Sequence, residues 1–491
     1  MLKICKKCRK YTRRKEMLYR FAMQEFLNWK KSKGTALLVT GARQIGKTFL
    51  VREFAKANYE RFVEINFVDQ EDAKQIFAGN LDANTIIQGI TSLTKQQLIP
   101  GKTLIFFDEI QECPNARTAI KFLVEDGRFA YIESGSLLGV QYQTVKSLPV
   151  GFEHVAQMFP LSFEEFSLAC GLQPDTISLL KDCYQNLKPV LPAIHEEMKK
   201  LWRAYLIVGG MPAVVQKYIE THDLAAVLEV QQNILQLYRQ DIIKYSATDK
   251  HKITAIFEAL PAQLNAKNRR FKLNAIKATA RMERYAESFI WLADAGLALP
   301  CFNVTAPEIP LKLHEQRNLF KLYLNDVGLL CAASLENVQF AIFKGDLSIN
   351  WGSILENVFA QEFHAHDYEI RFLDKKIGEI DFLLQDGQQV VPVEIKSGAD
   401  YKKHTSLTKL MAAKNKMMAQ GIVFCGGNVE VDGNIIYLPW YLVMFLQKKK
   451  IPSGLIFKVD LSNLNQLKKK VKVPPKISKN KNKSKRSKRS K

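Results

Sequence analysis

The sequence has 491 residues, 47% of them hydrophobic and 24% charged, and a formal net charge of +22. A chain of this length holds roughly three domains of ordinary size, each able to bury a core, which excludes a small scaffold stapled by disulfides. The longest apolar run, residues 435–446, is too short to cross a bilayer and contains Pro439, so a soluble protein with no membrane partner is expected.

The charge is concentrated at the two ends. Residues 1–20 hold nine Lys or Arg and a single acid, Glu16; they read as a basic extension without the apolar core of a signal peptide. Residues 468–491 hold thirteen Lys or Arg and no acid, which leaves the intervening body nearly neutral at +1. This tail has almost nothing to bury and is expected to be disordered. It reads either as an electrostatic arm for DNA, RNA or anionic surfaces, or as a solubilising extension. Eight cysteines are scattered, with only Cys5 and Cys8 close together. That usage suggests a reducing cytoplasm, and one Cys pair does not by itself make a zinc site.

The first strong element is the apolar strand Ala36–Val39, followed by Gly41-Ala42-Arg43-Gln44-Ile45-Gly46-Lys47-Thr48 and a helical run. This is the full P-loop pattern between strand and helix. Its glycines let backbone N–H groups wrap phosphates at the positive end of the helix. Lys47 is expected to reach the β- and γ-phosphates of ATP, and Thr48 to ligate Mg2+. Further on, Leu104–Phe107 is an unbroken apolar run ending in Asp108-Glu109, at the carboxyl end of a strand where α/β sheets bind ligands. Asp108 is expected to hold magnesium through water, and Glu109 to act as the base that orients the attacking water. A third strand, within residues 129–139, ends in Ser134-Gly135-Ser136, a polar step suited to sensing the γ-phosphate. An α/β ATPase domain over residues 20–170 follows.

Residues 175–345 alternate amphipathic helical patterns with loops. Beyond them, residues 378–398 place Glu379, Asp381, Glu394 and Lys396 in two runs that otherwise read as strands, Ile380–Leu384 and Val390–Ile395, around Asp386-Gly387. Side chains alternate along a strand, so Val391, Val393 and Ile395 share one face and leave Glu394 and Lys396 on the other. A four-residue loop over Asp386–Gln389 sets Asp381 opposite Glu394; a two-residue turn makes them diagonal neighbours on the same face. Two carboxylates about 4 Å apart repel by about 4 kcal/mol at a protein surface. A hard divalent cation reverses that sign: oxygen ligands suit Mg2+ or Mn2+, and Lys396 could then orient a water or stabilise a phosphorane-like transition state. A solvated hairpin face is the alternative.

At its three nucleotide motifs the sequence resembles the AAA-like P-loop ATPases of bacteria and archaea that carry a C-terminal domain of unknown function. The resemblance extends through residues 148–166, 205–215 with Gly209-Gly210, 238–245 ("YRQDIIKY") and 320–330 with Asp326. It implies an AAA-like parallel-sheet ATPase core, a helical, winged-helix-like middle over 175–345, and an α/β restriction-endonuclease-like domain over 346–447. Phe152 stands where many relatives carry a basic residue, so no arginine finger is assigned there; Arg117 and Arg128 are the other candidates. Restriction-endonuclease-like sites combine an acid on a preceding helix with an Asp and a Glu-x-Lys on adjacent strands. The resemblance therefore implies a metal site from Glu356, Asp381 and Glu394, with Lys396 as a catalytic group. Residues 351–363 read as that helix, with Ile354, Leu355, Val358 and Phe359 at core spacing.

Two functions compete. In the first, a Mg2+-dependent ATPase governs a nuclease-like module acting on nucleic acid, with Mn2+ as a second candidate metal. In the second, an ATP-driven switch uses the C-terminal fold only to dock a protein partner. Self-association is compatible with either.

Overall fold

The computed structural model describes residues 18–32, 34–135, 149–245, 249–266, 269–334, 352–375, 378–413, 418–449 and 457–460. Cys5, Cys8, Ser136 and the basic tail 468–491 lie outside them. The described residues up to 448 belong to one compact unit, to which the following account is confined. No helix among the described residues is long and apolar enough to cross a membrane.

The N-terminal sheet contains β1 (Ala36–Thr40), β2 (Arg61–Asn66), β3 (Thr103–Asp108), β4 (Ala130–Gly135) and β5 (Glu153–Gln157) in the order β2-β3-β4-β1-β5. All four pairings are parallel. Parallel strands need long crossovers, and the helices in those crossovers cover both faces. The side-chain partition follows: Ala36 and Leu38 of β1 face a core with Ile105, Phe107 and Tyr131, whereas Leu37 and Val39 face a second core with Phe106 and Ile132. Burial on both sides explains why Leu104–Phe107 is apolar without alternation.

The second core does not stop at the N-terminal domain. Phe163, just past the exit from the ATPase sheet, stacks edge-on against Trp202 with ring centroids 4.9 Å apart, Trp202 lies 5.8 Å from Phe359, and Phe359 lies 4.7 Å from Phe424. One continuous apolar core therefore connects the expected domains. Polar groups are tied into it. Leu161 N–H donates to the Gly210 carbonyl at 2.7 Å, and Gly210 N–H donates to the buried Asp326 carboxylate at 2.6 Å. A Cβ on Gly210 would collide with the Leu161 backbone, and one on Gly209, at φ 74°, with the Asp326 carboxylate. The Gly-Gly pair and Asp326 thus form a close backbone crossing.

The C-terminal sheet crosses the expected boundary near residue 345. It contains β6 (Ala298–Val304), β7 (Glu315–Leu324), β8 (Arg371–Lys375), β9 (Gly378–Asp386), β10 (Gln389–Ile395), β11 (Gly421–Cys425), β12 (Glu430–Asp432) and β13 (Ile435–Pro439), ordered β12-β13-β11-β10-β9-β8-β6-β7. The helices Lys250–Asn265 and Met282–Asp294 are followed by the antiparallel β6–β7 hairpin. That wing is not free: β6 pairs in parallel with β8 through Phe302–Arg371 and Asn303–Phe372. The β6–β7 hairpin of the middle region and the strands of the C-terminal region are therefore parts of one sheet, so the two regions on either side of 345/346 are joined through it.

Gly210→Ala is expected to destabilise the protein by about 1–3 kcal/mol or more, because the backbone it would strike has no room to retreat. Gly79→Ala, where nothing lies within 4 Å of the added Cβ, serves as the control at about 0.5 kcal/mol or less. Urea denaturation of the two variants measures the contrast.

Candidate nucleotide-binding site and C-terminal charge cluster

The segment 41–48 leaves β1 as a loop and enters the helix Lys47–Asn58. Positive φ angles at Gly41 (137°), Gln44 (66°) and Gly46 (85°) curl its backbone. The curl has a steric requirement, since a Cβ at Gly41 would collide with the Met158 carbonyl and Ile45. The first helical turn carries no acid, so its N–H groups and dipole favour an anion. Arg20, buried and overlooked in the sequence, braces the loop from behind: it donates to the Ile45 carbonyl at 2.9 Å and the Phe159 carbonyl at 2.5 Å, and pairs with Glu165 at 3.4 Å.

Lys47 is buried and donates to the Gly41 and Ala42 carbonyls at 2.9 and 2.8 Å. Burial lowers its pKa to about 8, opposed by the nearby Glu109 and Asp108 carboxylates. Thr48 Oγ1 donates to Asp108 Oδ2 at 2.9 Å, and Asn66 Nδ2 reaches the same oxygen at 3.4 Å. Ser134 donates to the other Asp108 oxygen, so its hydroxyl orients Asp108 in this arrangement. Burial raises the Asp108 pKa despite the Ser134 and Thr48 hydrogen bonds. A hydroxyl and a desolvated carboxylate meeting beside a phosphate loop fit a hard divalent cation, with Thr48 and Asp108 as the residues that would hold it.

Glu109 follows β3 in a left-handed conformation, φ 54°, and its carboxylate accepts from the Gln111 amide. The arginine candidates point elsewhere. Arg117 is buried in a two-pronged pair with Glu153 at 3.1 and 2.9 Å, and Arg128 pairs with Asp126 at 2.8 Å. Beside Arg117, Glu133 is fully buried on β4, and burial first, then Glu153, raises its pKa well above the carboxylate range.

Residues 33–167 match the AAA domain family. This segment is an AAA-like P-loop domain. Residues 199–339 and 351–443 match two further families, each described as a domain of unknown function (DUF8612 and DUF4143). A curated relative, the uncharacterized protein MJ1637 of Methanocaldococcus jannaschii, is 20% identical over 82% of this chain and 83% of its own. Among solved structures, the Walker-type ATPase PABY2304 of Pyrococcus abyssi is 14% identical, with a TM-score of 0.40 over 66% of this chain and 97% of its own. The Orc1 protein of Aeropyrum pernix, solved in complex with DNA, is 13% identical, with a TM-score of 0.27 over 65% and 92%.

In the C-terminal sheet the hairpin has the register that strand parity anticipates. Asp386 pairs with Gln389 and Phe382 with Val393; continuing that ladder by one residue sets Asp381 opposite Glu394. Asp381 Oδ2 accepts from Ile395 N–H at 2.8 Å, and Lys396 pairs with Glu394 at 2.9 Å. Burial, reinforced by Asp381, raises the Glu394 pKa to about 7, against the pull of Lys396.

Glu356 is where the expectation changes. It lies buried on the helix Gly352–Ala365, and its Oε1 accepts from Lys321 at 2.6 Å and Tyr323 at 2.7 Å while Arg269 pairs with Oε2. Lys321, also fully buried, lies 2.6 Å from Glu379 as well. Burial alone would raise the Glu356 pKa, but Lys321 and Arg269 together hold it below its usual value. Among the described residues, no group of three or more His, Cys, Asp or Glu side chains is arranged to hold a metal. The donor set implied by the resemblance is not assembled: an ammonium and a guanidinium already neutralise Glu356. The residues do not fit a divalent ion in this arrangement.

Lys321→Met is expected to cost about 3–5 kcal/mol of stability, because it removes a buried cation and leaves Glu356 short of its partner. Chemical denaturation measures it; a loss under about 1 kcal/mol would mean that water reaches the cluster.

Proposed function

We propose that the chain binds and hydrolyses ATP with Mg2+ in its AAA-like domain. The observation that carries this reading is the Thr48–Asp108 hydrogen bond beside a buried Lys47 at the mouth of the curled loop. The loop N–H groups and Lys47 would bind the phosphates, and Arg20 would keep the loop shaped by holding the Ile45 carbonyl. Thr48 and Asp108 would hold Mg2+, which would supply charge neutralisation to the phosphates. Glu109 would orient the attacking water and accept its proton, with Gln111 steadying the carboxylate.

For the C-terminal region we favour the switch that docks a partner without cleaving it. The observation in its favour is the occupation of Glu356 by Lys321, Arg269 and Tyr323. The nucleotide site and the C-terminal sheet share one core, which supports coupling between them. The basic tail is assigned, as part of the same proposal, to electrostatic contact with nucleic acid.

Lys47→Ala is expected to abolish ATP binding, and Glu109→Gln to retain binding while hydrolysis falls at least a hundredfold, the usual reach of a general base. Equal hydrolysis by wild type and Glu109→Gln would remove the base assignment. The wild-type preparation, incubated with manganese and mixed DNA and RNA with and without ATP, is expected to cut nothing; cleavage lost in Asp381→Ala would restore the nuclease reading. Removal of residues 468–491 is expected to flatten the salt dependence of nucleic-acid binding. With roughly six to ten phosphates neutralised, the intact chain should lose about 10³- to 10⁵-fold affinity between about 50 and 200 mM salt.

A further inference from the structure

The P-loop is contacted from outside the AAA-like domain by parts of the chain that follow it. The Gly46 position lies 3.7 Å from Pro212 Cγ, and Gly296 lies 3.2 Å from Ala42 N, both measured from an added Cβ. The more specific contact comes from the helix Leu224–Tyr245, whose "YRQDIIKY" end carried no chemistry in the sequence reading. Tyr238, completely buried, donates its hydroxyl to the Arg43 carbonyl at 3.2 Å. One turn on, Asp241 accepts from Arg43 Nη1 at 2.7 Å. This pair is well shielded on one side, with the Asp241 side chain 12% exposed and that of Arg43 31%.

The charges around Asp241 place it in the field of the nucleotide site. Arg43 and Lys244 attract it, and Glu109 repels it. Arg43 and Glu109 also act on the Lys47 ammonium. A triphosphate entering the loop brings several negative charges to the same guanidinium and toward the same carboxylate. It therefore competes with Asp241 for Arg43 and, as a like charge, repels it. A diphosphate brings less charge and places none at the γ position.

We infer that Asp241 is a positioning residue of the nucleotide site: it pairs with Arg43, and triphosphate competes with it for that guanidinium, loosening the end of the helix Leu224–Tyr245 from the P-loop. The inference rests on the ATP-binding reading above. It adds a residue outside the AAA-like domain whose role is to make that helix respond to triphosphate more than to diphosphate.

The test is a double-mutant cycle on the full chain, with binding of fluorescent ATP and ADP analogues as the readout. Asp241→Asn is isosteric and is expected to bind ATP about five- to tenfold tighter, the lower range of ordinary coupling between sites, with a smaller gain for ADP. Arg43→Gln is expected to weaken ATP binding, and in its background Asp241→Asn should bring little further gain. Wild-type protein that binds no ATP analogue would overturn the ATP-binding reading itself. Wild-type binding with no tightening in Asp241→Asn, or with the same tightening in the Arg43→Gln background, would overturn only the inference. Hydrogen exchange on the wild type needs no variant to fold: ATP should speed exchange over residues 238–245 more than ADP does, and equal protection in both states would count against the displacement.

Discussion

The rest of the structure depends on a buried crossing of backbones. Leu161 leaves the nucleotide domain, Gly210 follows the helix Pro192–Val208, and Asp326 precedes the helix Val327–Ser334. They meet where only hydrogen fits as a side chain at Gly210. The polar groups gathered there have no solvent to fall back on. The Tyr205 hydroxyl, with one proton to give, lies 2.6 Å from the Leu161 carbonyl and 2.9 Å from Glu362 Oε1, and Phe163 N–H donates to the same Glu362 oxygen at 2.8 Å. In a low-dielectric interior such groups are strong when paired and expensive when stranded. Burial lifts the Glu362 pKa to about 8 and that of Asp326 to about 6. Separating the nucleotide domain from the C-terminal sheet would strand all of these groups together. The two parts are therefore constrained to move by small relative shifts.

The charge cluster around Lys321 shows the same constraint with full charges. Lys321 comes from β7, Glu356 from the helix Gly352–Ala365, and Glu379 from β9. A buried ion pair of this kind is a poor source of net stability, because desolvation offsets most of the attraction. Its worth lies in specificity: the β6–β7 hairpin must dock in the one place where Lys321 finds its carboxylates. Glu356, which reads as a metal ligand along the sequence, is in this arrangement an anchor for a neighbouring segment.

The elements legible in the sequence are those whose meaning is local. The eight positions 41–48 announce a phosphate loop because the curl, the lysine and the hydroxyl all fall within one turn of chain. Asp381 and Glu394 could be paired in advance because alternation and an even loop fix parity. The helix around Val358 was readable from its spacing, although burial of Glu356, Asn357, Gln361 and Glu362 as well shows that it is covered all round. What escaped notice is non-local. Arg20 acts on Ile45, Asp241 on Arg43 and Lys321 on Glu356, across separations that no periodicity records. A lone Arg or Asp in an amphipathic helix looks the same whether it faces water or a phosphate loop. The sheet continuing across the boundary near 345 was hidden for a related reason: the pairing of β6 with β8 joins strands about seventy residues apart, and strand pattern alone does not name the partner.

That pairing has a bearing on how this architecture can vary. A strand in the interior of a sheet satisfies its N–H and C=O groups on both sides, whereas an open edge invites pairing with foreign strands. β8 is interior only because β6 lies against it. The region 351–443, which matches a family of its own, thus borrows its closing border from the region before it. Such a border is interchangeable in principle: any hairpin offering the right backbone spacing and a cation for Glu356 could finish the sheet. A recombination joint between residues 324 and 352 is then expected to pass only if the incoming segment brings both an edge and a charge.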